Sequence, residues 1–340
     1  MTVKEIAEIA GVSIGTVDRV LYNRGRVSPE TKAKIEAIIE QHQFTPNPIA
    51  RRLKRNRAYH FCALLPKREQ DAGYWGQALQ GIQKSAAEIS SLGVKTEVIE
   101  FDRYSQEEFQ SAAAAILKAK PDGLIFPPIM PDRTKPFIEE IQKADIPYVF
   151  FDADLPGMEP ICAIGQDSFR GGYLAGRLMH LFAGKITRPV AVLDVHGEDY
   201  HIIRRRDGFL RYAGEHKFPV LVQEYSGYRG MEISVKEISR FLRANSGLTG
   251  VFITNCMAHR VVEAVKERKK VQDFLLIGYD LIPKNRVFLR EGRINAIISQ
   301  RSEDQGRNAL LNLYLSIVLG QRIPPKLEIP LDIYFKENIP

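Results

Sequence analysis

Apolar positions follow two regimes along this chain. Over the first 40 residues they recur at helical spacing: Ile6, Ile9 and Ala10 share one face, Val17, Val20 and Leu21 a second, and Ile35, Ile38 and Ile39 a third. Each stretch has a start signal. Thr2 and Glu5 form a capping box, in which hydroxyl and carboxylate each satisfy backbone groups left open at a helix start. Gly11 ends the first helix, Ser13 can cap the second, and Ser28-Pro29-Glu30-Thr31 opens the third. Three short helices sharing one small core are predicted, in a helix-turn-helix order.

From residue 60 the pattern changes to short apolar runs at 61–65, 94–101, 123–126, 148–151, 190–195, 250–254, 274–279 and 294–299, with helical patterns between most of them. Such alternation predicts parallel sheets covered on both faces, and about eleven strands suggest two sheets rather than one, with a break near 154–159. The predicted class is α followed by α/β: a three-helix headpiece over 1–45, a linker or hinge helix over 46–58, and a two-lobed doubly wound body over 59–340.

Charge separates the same regions. Residues 1–57 hold 11 Lys/Arg against 6 Asp/Glu, whereas the remaining 283 hold 37 against 35. A basic module on a nearly neutral body is the electrostatic footprint of a nucleic-acid module, because neutralising phosphates releases counterions. The outward positions of the second helix, Ile14, Gly15, Asp18 and Arg19, would meet the major groove, with Arg19 suited to bidentate guanine readout. A short bundle with surface arginines could instead pack on another protein. The run 49–57, strongly basic and set off by Pro46 and Pro48, favours a linker that folds on double-stranded DNA.

No stretch approaches the roughly 20 uninterrupted apolar residues of a membrane span, and an amphipathic helix stands where a signal peptide would, so a cytoplasmic protein without membrane contact is expected. Cys62, Cys162 and Cys256 are odd in number and lack a C-x-x-C pair, which argues against a disulfide framework or a zinc site. Gly11-Val12-Ser13-Ile14-Gly15 fits the nucleophile-elbow pattern, but Ser13 follows a helix where the elbow needs a strand. No dinucleotide fingerprint, phosphate loop or nucleophile–base pair is present, so neither an enzyme nor a cofactor is expected. His196, Glu198, Asp199 and His201 offer metal-type side chains at a spacing that matches no tight ligand motif.

Ligands in open α/β sheets bind outside the carboxyl ends of strands, where this chain places Asp152, Asp194 with His196, Asn255 and Asp280. Individually these carboxylates could cap helices or pair with Arg204, Arg205 and Arg206.

Residues 3–21 followed by Asn23, Val27-Ser28, Phe44-x-Pro46-Asn47 and Ala50-x-x-Leu53 resemble the lactose-repressor family of bacterial transcription factors. The resemblance extends over the body, which is similar to that family's two-lobed effector domain and to periplasmic sugar-binding proteins, and it implies lobe 1 at about 59–157 and 298–320 and lobe 2 at about 158–297 and 321–340. It implies that Ile14, Gly15 and Arg19 read bases and that a hinge helix enters the minor groove, where Leu53 wedges between base pairs. The implied DNA-facing set is Ser13, Ile14, Gly15, Thr16, Arg19, Asn23, Ser28, Thr31, Asn47, Ala50, Arg51, Leu53 and Lys54. The family's ligand positions fall on Tyr74, Trp75, Asp167, Arg205, Asn255 and Asp280; with Asp152, His196, Tyr228 and Gln300 they complete the expected effector set. Asp18 stands where the family usually has serine, Gly15 leaves a base-facing position without a side chain, and Cys256 replaces the second member of an Asn-Asp pair.

Carboxylate acceptors, Arg and Asn donors and an aromatic face together suit a polyhydroxylated ligand. The implied protein is a homodimeric, sugar-responsive regulator on a pseudo-palindromic operator. A purine or other metabolite is the alternative effector, and a sugar-binding transport protein the rival class.

Overall fold

The computed structural model describes residues 1–21, 27–42, 57–225, 233–266 and 274–340. The chain divides into two compact units, Met1–Arg57 and Ala58–Pro340.

The first unit holds α1 (Val3–Ala10), α2 (Ile14–Leu21) and α3 (Pro29–Gln41). The Thr2–Glu5 capping box forms in both directions, and the chain leaves α1 through left-handed Gly11 at φ 68°. Ser13 Oγ accepts the Thr16 amide at 3.1 Å, and Ser28 accepts that of Thr31 at 3.3 Å. The core is Ile6, Ala7, Ala10, Val17, Val20, Ile35 and Ile38, with Leu21 and Ile39 half-buried against it. Ile9 departs from expectation: it is 52% exposed, because Ala7 takes the inward position two residues earlier in the helix.

The second unit is α/β with two six-stranded sheets. Its elements run β1 (Tyr59–Pro66), α4 (Gln70–Ser90), β2 (Val94–Phe101), α5 (Gln106–Ala119), β3 (Gly123–Phe126), α6 (Pro131–Lys143), β4 (Tyr148–Phe151), β5 (Ala163–Gly165), α7 (Ser168–Ala183), β6 (Val190–Val195), α8 (Tyr200–Glu215), β7 (Val220–Tyr225), α9 (Val235–Ala244), β8 (Gly250–Ile253), α10 (Ala258–Lys266), β9 (Leu275–Tyr279), α11 (Pro283–Arg290), β10 (Ala296–Ser299), α12 (Ser302–Ile317), β11 (Lys326–Glu328) and β12 (Asp332–Tyr334). Strand order is β11-β5-β4-β3-β1-β2 in one sheet and β12-β10-β9-β8-β6-β7 in the other. All pairings are parallel except β10 with β12. Central strands β3, β4, β6 and β8 are buried along their whole length, as expected of strands covered by helices on both faces.

Two expectations about the lobes need correction. The break does not fall at 154–159, because β5 still pairs with β4 in the first sheet. The C-terminal segment is likewise shared: β11 joins β5 in the first sheet and only β12 joins the second. The chain therefore passes between lobes after β5, β10 and β11. Gln166 ties these passages together, its Nε2 donating to Ser299 O and Pro330 O, both at 2.7 Å.

Helices approach closely where glycines line them. A Cβ on Gly172 of α7 would lie 1.8 Å from the Arg205 carbonyl oxygen on α8, and one on Gly208 of α8 would lie 2.0 Å from that of Phe169. Gly81 of α4 and Gly306 of α12 form the matching pair in the first lobe. Among the described residues no helix is long and apolar enough to cross a membrane.

Candidate functional site

In the first unit, burial of Val17 and Val20 turns the opposite face of α2 outward. Ser13, Ile14, Gly15, Asp18 and Arg19 are exposed there, while Thr16 is half-buried. The hydroxyls of Ser13 and Thr16 lie 2.9 Å apart and those of Ser28 and Thr31 2.7 Å apart, so both threonine hydroxyls are engaged with the serines that cap α2 and α3. Asn23, Asn47, Ala50, Arg51, Leu53 and Lys54, and the expected hinge helix with them, lie outside the described residues.

In the second unit the strands' carboxyl ends converge on a cleft between the lobes, and three of those ends turn in the same way. Asp152 after β4 has φ 71°, His196 after β6 has φ 61° and Asp280 after β9 has φ 64°. A left-handed residue reverses the strand at once and aims its side chain back across the sheet end, a conformation that Asp and His tolerate better than most residues. After β1 the chain makes a longer detour: Asp71, Ala72 and Gly73 are all left-handed, which kinks the start of α4 and buries Asp71, Tyr74 and Trp75 together. Tyr74 and Trp75 thus lie on α4 just past its left-handed turn.

In this structure the cleft is nearly closed: about 30 Å3 of space remains, well below the roughly 300–1,000 Å3 typical of small-molecule sites. Its walls bring together eight of the ten expected residues: Tyr74, Trp75, Asp152, His196, Arg205, Asn255, Asp280 and Gln300. Asp167 is elsewhere. It caps α7 by accepting the Arg170 amide at 3.0 Å and lines a neighbouring cavity with Tyr200 and Arg204. Tyr228 lies outside the described residues.

Two polar clusters organise the walls. In one, Arg205 donates to Thr254 O at 2.9 Å and to Gln300 Oε1 at 2.6 Å, with its guanidinium 3.8 Å over the Tyr279 ring. Gln300 donates in turn to Asp280 Oδ2 and Tyr74 Oη, each at 3.2 Å, and Tyr74 donates to Asp152. Burial pushes the Asp280 carboxyl up to about 7 and that of Asp152 to about 6, each against the pull of Arg205. Neither carboxylate makes an ion pair within 4.0 Å among the described residues, and Arg205 Nε has no hydrogen-bond partner there.

The other cluster joins the lobes. Arg103, on the loop after β2, pairs with Asp71 and, across the cleft, with Asp199 Oδ2 at 3.1 Å. Asp199 Oδ1 accepts the Met130 amide at 2.6 Å. Burial alone would raise the Asp71 carboxyl, but Arg103 and His196 hold it below the ordinary range. Burial also drives His201 well below the usual imidazole range, so it is neutral. Cys256 donates its thiol to Asp71 O at 3.2 Å, a lobe-to-lobe contact made by the position that departs from the family's Asn-Asp pair.

Sequence reasoning missed Asp71, Arg103, Asp199, His201 and Cys256 as parts of this wall. The strand-end rule, applied to β1 and β2 as it was to later strands, points to Asp71 and Arg103. Asp199 and His201, whose spacing matches no tight metal motif, both line the cleft, where Asp199 pairs with Arg103.

Comparison with known proteins places both units. A family model described as bacterial regulatory proteins of the lacI family matches residues 2–47, and a periplasmic binding protein domain matches residues 62–321. The transcriptional repressor PurR of Yersinia pestis bv. Antiqua (strain Antiqua) is 28% identical over 344 residues, covering 96% of this chain and 94% of the relative. A crystal structure described as a LacI transcriptional regulator from Bacteroides fragilis is 27% identical with a TM-score of 0.76, covering 83% of this chain and 98% of that one. GanP, a glucose-galactose binding protein from Geobacillus stearothermophilus, shares the fold at 23% identity and a TM-score of 0.74, over 84% of this chain and 99% of its own.

Proposed function

The chain belongs to the lacI family of bacterial regulatory proteins and is a DNA-binding transcriptional regulator, and we propose that the small molecule controlling it is a sugar or sugar derivative held in the cleft between the two lobes. The observation that carries this reading is the wall built from Asp152, Asp280, Arg205 and Gln300 beside Tyr74 and Trp75. Two carboxylates offer acceptors, the guanidinium and carboxamide offer donors, and the aromatics supply an apolar face, which together match a ring bearing several hydroxyls. The chain shares its fold with a glucose-galactose binding protein.

Control follows from linkage. Asp199, held by Arg103 and Met130 N, joins the lobes at the same cleft that takes the ligand, so ligand and lobe closure favour one another. Closure then alters contacts across a homodimer and the stability of residues 47–55 as DNA-bound helices. In the division proposed here, residues 1–45 read the operator, 46–58 form the hinge, and 59–340 bind effector and dimerise. Ile14, Gly15 and Arg19 face the major groove, and the relatives being transcriptional regulators, no catalytic family is indicated. The protein acts in the cytoplasm in this reading.

Trp75 is the chain's single tryptophan and lines the cleft, so its fluorescence reports directly on occupancy. Titration with pentoses, hexoses, sugar phosphates, uronic acids and purines, with calorimetry alongside, should give a saturable response for one sugar class. Binding of a purine with silence from every sugar would overturn the sugar assignment. Equal operator affinity with and without the saturating ligand would overturn the linkage.

A further inference from the structure

Away from the cleft, at the amino ends of β1 and β2, three metal-type side chains share one face of the first sheet. His60 and Cys62 are two residues apart on β1, so both point to that face, and the parallel register sets Glu97 of β2 directly beside Cys62. His60 Nε2 lies 3.0 Å from Glu97 Oε2 and 3.8 Å from Cys62 Sγ, and the three donor atoms lie within 4.8 Å of one another. We propose that His60, Cys62 and Glu97 form a binding site for a zinc-class divalent cation.

The geometry is close to what such an ion requires. With Zn–N and Zn–O near 2.1 Å and Zn–S near 2.3 Å at tetrahedral angles, neighbouring donors sit roughly 3.4–3.6 Å apart, within a few tenths of an ångström of the two distances here. Thiolate, imidazole and carboxylate together select zinc over magnesium or calcium, which take oxygen ligands. Charge balances: Zn2+ displaces the Cys62 proton to solvent and meets one thiolate, one carboxylate and a neutral imidazole. One tetrahedral position remains for water, and Glu97, about half exposed, opens the site to solvent. Burial pushes the Cys62 thiol up to about 12, so the thiolate forms in response to the cation and is not standing ready for it. Lys95, two residues before Glu97 on the same face, is the nearby positive charge the ion must tolerate.

An ion here would clamp the first strand of the second unit to β2, the edge strand of its sheet, just after the boundary at Arg57. The clamp is independent of the effector cleft, and its failure would leave the sugar reading untouched.

The test is titration of the full-length reduced protein with Co2+, which reports thiolate ligation through a sulfur-to-cobalt charge-transfer band and is displaced by Zn2+. The expected result is a band saturating at one equivalent and bleached by zinc, lost in Cys62→Ser, with affinity at least 10-fold weaker in Glu97→Gln. Glu97 is exposed enough that its variant keeps the fold, so the second arm stands if Cys62→Ser is unstable. A band that persists in Cys62→Ser, Co2+ bound without that band, or no binding at excess metal would each overturn the site.

Discussion

Gly172→Ala probes whether the crossing of α7 and α8 sets the position of Arg205. The added methyl would lie 1.8 Å from the Arg205 carbonyl oxygen, against 3.4 Å where ordinary contact begins, so the helices must part by about 1.6 Å. The obstacle is backbone on both sides, which no rotamer change relieves, and overpacking of this kind costs roughly 1–3 kcal/mol or somewhat more. At about 2.1 cal/mol/K of unfolding entropy per residue, the body Ala58–Pro340 has about 0.6 kcal/mol/K, so ~3 kcal/mol lowers its melting point by about 5 °C. The same shift breaks the geometry of the Arg205 bonds to Thr254 O and Gln300 Oε1, at 2.9 and 2.6 Å. Effector affinity, read from Trp75, should therefore fall together with the melting point. Gly214→Ala is the internal control: it lies on α8 with nothing within 4 Å of the added methyl, and should be neutral or slightly stabilising. A Gly172→Ala protein that melts within a degree of the parent and keeps its ligand response would refute the argument.

Other outcomes follow from the same geometry. Asp280 has its carboxyl raised from 3.8 to about 7, so its contribution to stability is full below pH 4 and is lost as pH rises to 7; Asp280→Asn should gain on the parent by on the order of 2–4 kcal/mol between pH 5 and 8, and parallel pH profiles of denaturation would contradict this. Asp199→Asn weakens the tie to Arg103 across the cleft, so the ligand-free protein should show a larger radius of gyration in solution scattering and about 10-fold weaker ligand binding; unchanged scattering would count against the tie. Arg19→Ala should flatten discrimination among operator variants, losing roughly 1–3 kcal/mol at one base position, whereas Leu53→Ala should weaken operator binding with Trp75 titrations unchanged. Equal operator affinity would remove the wedge assignment.

What the sequence disclosed tracks the range of the interactions involved. Capping at Thr2, Ser13 and Ser28 and the inward faces of α1 to α3 are set within four residues, and they were legible, apart from Ile9, whose neighbour Ala7 packs inward in its place. Long apolar strands were legible for the same reason. Three-residue strands such as β5 and β11 carry no period of their own and exist because each completes the other's pairing, so the lobe boundaries drawn from pattern fell short. In the cleft, residues that end a strand announced themselves, whereas Arg103 and Asp199 matter through a partner 96 positions away. Cys62 and Glu97 are brought together only by strand register, which no spacing within the chain encodes.

The shared C-terminal segment has a consequence for synthesis. The helices of the first unit are complete once about 40 residues have emerged, and among the described residues their core draws on nothing later. The first sheet, by contrast, waits for α12, which packs on α4, β3 and β4, and for β11 near residue 326; the second waits for β12 at 332–334. On a ribosome adding about 5–20 residues per second, the DNA-reading part is folded many seconds before the part that governs it. A chain cut short before β11 and β12 would therefore carry the complete helical core of the first unit while lacking an edge strand of each sheet.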